Sequence, residues 1–145
     1  VGEGTMIDSN VTTGSCAQIG SNSHIGANST VGGVLDPAEK TPVIIGDNVS
    51  LGAGSRITGG AEIGDNVNTG EDLILSPGIE VYDLVENQVL QGRIPSNRTA
   101  FRRNKRSSVS DHELFDEDES IQKPIVVAVE YNEDAVELED TLRMD

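Results

Sequence analysis

The chain has 145 residues, which suits one compact domain, and its 25 acidic against 10 basic residues give a formal net charge of −15. This charge disfavours nucleic acid as a partner, and the sequence has neither an apolar run of membrane-spanning length nor a leader that resembles a signal peptide. We therefore predict a cytoplasmic protein that contacts no membrane. The scarcity of lysine adds the hypothesis of a halophilic source, since acidic proteins stay hydrated in high salt.

A six-residue repeat runs through the first half of the chain and is in phase from its first residue, so we expect part of the natural protein to precede it. The twelve leading positions, of which ten are aliphatic, are Val1, Ile7, Thr13, Ile19, Ile25, Val31, Ile45, Leu51, Ile57, Ile63, Thr69 and Leu75. Glycine most often follows the leading residue. Gly, Asn and Asp fill the turns between leading positions, where the backbone needs angles that other residues adopt only with strain.

This period predicts an all-β fold, a parallel β-helix. Three hexads close one triangular coil, so twelve hexads make about four coils, stacked about 4.8 Å apart. An amphipathic helix would need apolar residues at three- and four-residue spacing, which the repeat lacks. The spacing does not determine the handedness of the coil. Since so small a prism buries little apolar surface, we expect it to need caps or partner subunits.

The repeat divides the chain into a β-helix at residues 1–80 and a C-terminal extension with strands and a short helix at residues 81–145. A break in the repeat phase predicts a protruding loop at residues 32–43, and such loops often carry function.

Within the extension the local signals predict four features. They are two extended segments joined by a turn at Glu86-Asn87, a short helix opened by a capping box at Ser110 to Glu113, a strand at residues 125–131, and a closing segment at residues 132–145 that either forms a terminal helix or frays.

Three stretches of sequence are more specific than the repeat. They are GTMIDSNVTTGSCAQIG at residues 4–20, GGVLDP at residues 32–37 followed by PVIIGDN, and GRIP at residues 92–95. Together they resemble the tetrahydrodipicolinate N-succinyltransferases of lysine and diaminopimelate biosynthesis, from Val1 to about Pro95. The resemblance implies a left-handed β-helix, a homotrimer with active sites between subunits, a small dicarboxylate substrate and succinyl-CoA as co-substrate, with no permanently bound cofactor.

Asp8 is the principal candidate for a catalytic residue. It matches the Asp of GTMID, which in that family contacts the substrate amine, and it occupies a repeat position where glycine is usual. A carboxylate there can hydrogen-bond the amine and accept its proton as it attacks the thioester. The alternative is that Asp8 is merely tolerated at a turn.

Arg56 is a departure from the family, which commonly has GARSE where this chain has GAGSR. In the family the Glu of GARSE acts together with the Asp of GTMID, and here Arg56 takes its place. Three alternatives follow: this second acidic residue is dispensable, Arg56 binds a substrate carboxylate, or the substrate and acyl donor differ. Related tetrahydrodipicolinate N-acetyltransferases share GTMID and the HIGA at residues 24–27 and also lack that Glu, which makes acetyl-CoA the alternative donor. GSCAQIG favours succinyl transfer.

Contacts with CoA are predicted in two places. The cluster Arg102, Arg103, Lys105 and Arg106 either holds the 3′-phosphate or is a solvated, charge-balancing turn. The backbone N–H groups of Gly33, Ala53 and Gly54 are predicted pantetheine contacts, because glycine lets a ligand approach the main chain.

The histidines and the single cysteine are predicted to bind no metal, since they show no ligand spacing. His24 is expected to be structural, although a His is the general base in some hexapeptide acyltransferases. His112 is expected to be exposed, and Cys16 to be an inert repeat residue. Two histidines cannot supply the three that the β-helix carbonic anhydrases need. A non-catalytic binding or structural solenoid is the alternative of another class.

Overall fold

The computed structural model describes residues 1–34 and 41–134, and in them the chain forms sixteen β-strands and one short 3₁₀ helix. The strands of the repeat region are β1 (Met6–Ile7), β2 (Thr12–Thr13), β3 (Gln18–Ile19), β4 (His24–Ile25), β5 (Thr30–Val31), β6 (Ile44–Ile45), β7 (Ser50–Leu51), β8 (Arg56–Ile57), β9 (Glu62–Ile63), β10 (Val67–Thr69) and β11 (Ile74–Leu75). Each is only two or three residues long because a corner follows every few residues.

These short strands stack into three parallel sheets that form the sides of a triangular prism. Face A contains β1, β4, β7 and β10, face B contains β2, β5, β8 and β11, and face C contains β3, β6 and β9. Met6 pairs with His24 and Ile7 with Ile25, an offset of 24 − 6 = 18 residues, which is three hexads. The prediction of triangular coils, about four in number, is confirmed.

The second residue of the short strands points into the prism and builds its core. The buried members of this set include Ile25, Val31, Ile45, Leu51, Ile57, Ile63 and Leu75. Because successive strand residues point to opposite faces, the first residue of each strand lies on the outside of the prism. The outer surface of each face is therefore a column of one residue per coil.

Buried serines at the corners join neighbouring coils. The Ser23 hydroxyl accepts a hydrogen bond from the Val49 N–H at 3.0 Å, and the Ser29 hydroxyl accepts one from the Ser55 N–H at 3.2 Å. Asparagines such as Asn22 and Asn48 adopt the left-handed backbone conformation at turns. These contacts explain why small polar residues recur between the aliphatic positions.

Five further strands follow the repeat region: β12 (Glu80–Asp83), β13 (Gln88–Gln91), β14 (Arg93–Ile94), β15 (Arg98–Arg106) and β16 (Gln122–Glu130). Strands β12 and β13 form a hairpin, which confirms the turn expected at Glu86-Asn87. Strand β14 adds to face C and β15 to face A, so the coil pattern continues past residue 80. The division into domains at that residue stays a prediction.

Strand β16 closes one end of the prism. It pairs antiparallel with β15 and parallel with β12, and it confirms the strand expected at residues 125–131. Val81, Ala100, Val126 and Ala128 are fully buried and join the hydrophobic core. The C-terminal extension therefore supplies one of the expected caps, whereas at the other end of the described prism Val1 is exposed.

The helix predictions are confirmed only in part. The 3₁₀ helix spans Ser108–Asp111 and is capped by Ser107, so the expectation that Ser110 opens a helix is wrong. The Ser110 hydroxyl instead bonds the main chain of Ile121 in both directions. Residues 135–145 of the expected terminal helix and residues 35–40 of the expected loop lie outside the described residues. None of the helices in the described ranges has the length and apolar character of a membrane span.

Candidate active site

Asp8 occupies the corner that follows strand β1 on face A. The equivalent residues of the next three coils are Gly26, Gly52 and Gly70. A β-carbon at Gly26 would lie 2.6 Å from the main-chain nitrogen of Ala53, so no side chain fits there without a shift of the backbone. Asp8 therefore brings an ionisable group to a column of the prism that is otherwise glycine in these coils.

The Asp8 carboxylate is held by two hydrogen bonds. Its Oδ1 accepts from the N–H of Ser9 at 2.7 Å, and its Oδ2 lies 3.1 Å from Nε2 of His24. The Ser9 N–H, followed by His24, holds the pKa of Asp8 below its usual value, so the carboxylate is ionised at neutral pH. An ionised carboxylate is only an acceptor, and His24 therefore donates through Nε2.

His24 lines a shallow groove of about 480 Å³ on face A. Met6, His24 and Ser50 form the outer column of this face, since β4 pairs with β1 on one side and with β7 on the other. Met6 is 60% exposed, and the side chains of His24 and Asp8 are 44% and 38% exposed. The groove thus offers an apolar wall and an exposed imidazole, and His24 connects it to Asp8, which does not itself line the groove.

Arg56 lies on a different face from Asp8. It is the outward residue of β8 on face B, where it is in register with Thr30 and Ile74. Asp8 itself lies at the corner between faces A and B, and within the described residues no hydrogen bond or ion pair joins Arg56 to the Asp8–His24 pair.

The residues predicted to contact pantetheine lie at two separate corners. Gly33 follows β5 at the corner between faces B and C, whereas Ala53 and Gly54 follow β7 at the corner between faces A and B. The N–H of Gly54 donates to the carbonyl oxygen of Ala27 at 2.8 Å. A pantetheine contact through that N–H would break a bond between two coils.

The basic cluster forms the second half of β15 and is not a turn, so that alternative is wrong. Arg102 and Lys105 are three residues apart on this strand and point to opposite sides, so they cannot grip the same phosphate. The Lys105 ammonium bonds the hydroxyl of Tyr82, which raises the pKa of Lys105, and Arg106 forms an ion pair with Asp111 at 2.6 Å.

The contact between Asp8 and His24 was not predicted from the sequence, although a signal for it exists. The first coil is 18 residues long, so residue 24 lies beside residue 6, two positions before Asp8. Reading the repeat by coil instead of by hexad would have placed the imidazole next to the carboxylate. Within the described residues, no group of three or more His, Cys, Asp or Glu side chains is placed to hold a metal ion.

Comparisons with known proteins agree with this fold. Residues 1–33 and 42–73 match the bacterial transferase hexapeptide family (six repeats). Two curated relatives, from Idiomarina loihiensis and Polynucleobacter asymbioticus, are each 36% identical to this chain over 115 residues, which is 79% of this chain and 42% of the relative. A third, from a Methylobacterium species, is 41% identical over 95 residues, which is 66% of this chain and 34% of the relative.

All three relatives are named 2,3,4,5-tetrahydropyridine-2,6-dicarboxylate N-succinyltransferase. The matched part of this chain spans less than half the length of these relatives. The matched repeats, with the three parallel sheets, confirm the expected all-β fold, a left-handed parallel β-helix with a mixed C-terminal part. The repeat region of this chain therefore belongs to the bacterial transferase hexapeptide family.

Proposed function

We propose that the protein is an acyl-CoA-dependent N-acyltransferase, which transfers the succinyl group of succinyl-CoA to the amino group of a ring-opened tetrahydrodipicolinate. The names of the relatives support this activity and substrate class. The observation that carries it here is the ionised Asp8, placed at a glycine position of the coil and bonded to His24 beside an open groove. We propose a cytoplasmic location for the reaction, as the sequence predicts.

For this reaction the protein needs to supply mainly the orientation of the two substrates and a proton acceptor. The amine attacks the thioester carbonyl, the C–N bond forms, the C–S bond breaks and CoA leaves as the thiol, so no protein nucleophile is needed. Asp8 is suited to hydrogen-bond the amine and to favour the positive charge that develops on it. The pair of Asp8 and His24 supplies a place for the departing proton.

We propose that the active protein is a homotrimer and that each site lies between subunits. In this arrangement Arg56 of a neighbouring subunit is available to bind a substrate carboxylate, since in its own subunit Arg56 lies on a different face from Asp8. Gly33 and Ala53 remain proposed contacts of the pantetheine arm. For the phosphate, Arg102 and Lys105 are alternatives to one another and not a joint site.

Acetyl-CoA is the second candidate donor, because Arg56 replaces the Glu that the succinyltransferases commonly carry. The test is to offer the full-length protein tetrahydrodipicolinate with each donor in turn and to follow thiol release. We expect faster release with succinyl-CoA. Faster release with acetyl-CoA would assign the acetyltransferase reaction, and no release with either donor would contradict the proposed activity.

A further inference from the structure

We propose that Ser50 and Asn48 form a subsite for the carboxylate at the end of the donor's acyl chain, and that this subsite makes the protein prefer a succinyl donor. This inference rests on the proposed function and deepens it. It concerns the groove on face A, where Ser50 and Asn48 belong to the coil of β7 and Met6 to the coil of β1.

The groove has an apolar end and a polar end. Met6, His24 and Ser50 follow one another along it, because β4 lies between β1 and β7. Met6 is 60% exposed and makes one end apolar, whereas Ser50 and Asn48 are exposed at the other end. A carboxylate placed against Met6 would lose hydration without gaining a hydrogen bond, so an acyl chain that ends in a carboxylate fits with that end at Ser50.

The polar groups at this end are available to a ligand. Within residues 1–34 and 41–134, the Ser50 hydroxyl and the Asn48 side-chain amide form no hydrogen bond with another protein group. The Ser23 hydroxyl, which also lines the groove, accepts from the Val49 N–H at 3.0 Å and donates to the carbonyl oxygen of Gly46 at 3.1 Å. A carboxylate that accepts from Ser50 and Asn48 therefore breaks no bond of the scaffold.

The groove also spares a carboxylate the repulsion that an acidic chain would otherwise exert. The residues that line it include no Asp or Glu, in a chain of formal net charge −15. Asp8 is connected to the groove through His24, and the Asp47 carboxylate accepts from the Ser21 N–H at 2.8 Å. Hydrogen bonds from neutral donors to an ionised group are stronger than those between neutral groups, so a hydroxyl and an amide suffice to hold the carboxylate.

The length of a succinyl group matches the spacing of the coils. Neighbouring strands lie about 4.8 Å apart, and two methylene groups separate the thioester carbonyl of a succinyl group from its carboxylate, which is a span of the same order. With the thioester carbonyl beside His24 and the attacking amine at Asp8, the carboxylate lies one coil further on, at Ser50. An acetyl group ends before that position and leaves Ser50 in contact with water.

The test compares two donors of equal acyl length, succinyl-CoA and butyryl-CoA, whose chains end in a carboxylate and in a methyl group. We expect the full-length natural protein to show a kcat/KM for succinyl-CoA about tenfold or more above that for butyryl-CoA, as hydrogen bonds to a charged group imply. Ser50→Ala should reduce this ratio several-fold, because one donor is lost. Asn48→Asp should reduce it further, because a second carboxylate then repels the ligand.

Asn87→Asp is the matched control. Asn48 and Asn87 are both exposed and both adopt the left-handed backbone conformation, at φ of 56° and 52°, but Asn87 lies in the hairpin turn between β12 and β13. Asp72 shows that an Asp adopts this conformation in the same protein, so both Asn→Asp variants should fold. Circular dichroism and gel filtration check this. Asn87→Asp should leave the donor ratio unchanged.

An unchanged donor ratio in Ser50→Ala and Asn48→Asp would overturn the inference, as would a natural protein that uses butyryl-CoA or acetyl-CoA as well as succinyl-CoA. A rise in KM for tetrahydrodipicolinate with an unchanged donor ratio would assign the subsite to the acceptor's carboxylates and overturn it too. If one variant fails to fold, the other variant and the donor ratio of the natural protein decide. None of these outcomes contradicts the proposed function, which fails only if the natural protein releases no thiol with succinyl-CoA or acetyl-CoA.

Discussion

Arg98 and Asp83 form an ion pair with two parallel hydrogen bonds in the protein interior. The Nε and Nη2 of Arg98 each donate to a different carboxylate oxygen of Asp83 at 2.9 Å, and both side chains are buried. Asp83 ends β12 and Arg98 begins β15, so the pair joins the hairpin to the strand that adds to face A. The remaining capacity of Asp83 is used by the Val85 N–H and the Gln88 side chain.

Breaking this pair should loosen the cap. We expect Asp83→Asn to lower the free energy of unfolding by about 3–5 kcal/mol, because it leaves the Arg98 guanidinium buried without its counter-charge. The measurement is the unfolding midpoint in urea. The matched control is Asp111→Asn, which removes the exposed ion pair with Arg106 and should change the midpoint little. Equal effects of the two substitutions would contradict this account of the cap.

The same pair predicts how stability depends on pH. The hydrogen bonds from Arg98 lower the pKa of Asp83 to about 2 from an ordinary value of 3.8. Because the folded-state pKa is the lower one, ionised Asp83 contributes about 2 kcal/mol to the free energy of unfolding above about pH 5. This contribution is lost as the pH falls from there to about 2. Thermal melts between pH 7 and pH 2 should show this loss in the natural protein and a smaller one in Asp83→Asn. Parallel curves for the two proteins would contradict the assignment.

The glycine corners make a separate prediction about the scaffold. A β-carbon at Gly52 would collide with the main-chain carbonyl of Gly70 in the next coil, whereas one at Gly78 would meet nothing within 4 Å. We expect Gly52→Ala to lower the free energy of unfolding by about 1–3 kcal/mol, as overpacking does, and Gly78→Ala to change it little. Urea denaturation of both variants checks this, and a stable Gly52→Ala would argue against the close stacking of the coils.

Arg56 supplies a prediction about the substrate. If it binds a substrate carboxylate from a neighbouring subunit, Arg56→Gln should raise KM for the dicarboxylate about tenfold or more, since a charge-assisted hydrogen bond is worth about 1.5–3 kcal/mol. KM for the CoA donor should change little. Arg93→Gln is the control, because Arg93 is exposed on face C. An unchanged KM in Arg56→Gln would leave Arg56 without a role in substrate binding.

The sequence predicted the scaffold well because the repeat encodes it locally. Each hexad specifies an inward aliphatic residue such as Ile25 or Ile57 and a tight corner, and where the repeat is uninterrupted, three hexads stack residues 18 apart. The cap formed by β16 was harder to predict, because β16 pairs with β12 some forty residues earlier. The six-residue repeat does not extend to β16, so no periodic pattern in the sequence indicates that contact. The salt preference of the acidic chain stays a hypothesis, which thermal melts at low and high salt can test.

The candidate site was predicted only in part. Asp8 could be singled out because it breaks the glycine column, but its pairing with His24 depends on register between coils. The cluster of Arg102 and Lys105 looked like one patch because sequence proximity does not show the alternation of a strand. Arg56 and Asp8 could not be assigned to different faces until the sheets were known.

The proposed function places N-acyl transfer beside the Asp8–His24 pair. Its most direct test is mass spectrometry of the product that the full-length protein forms from tetrahydrodipicolinate and succinyl-CoA, with the natural protein and Asp8→Asn run side by side at matched oligomeric state. We expect an N-succinyl amide from the natural protein, formed at the rate of thiol release, and a large loss of turnover in Asp8→Asn. No amide from the natural protein, or undiminished turnover in Asp8→Asn, would contradict it.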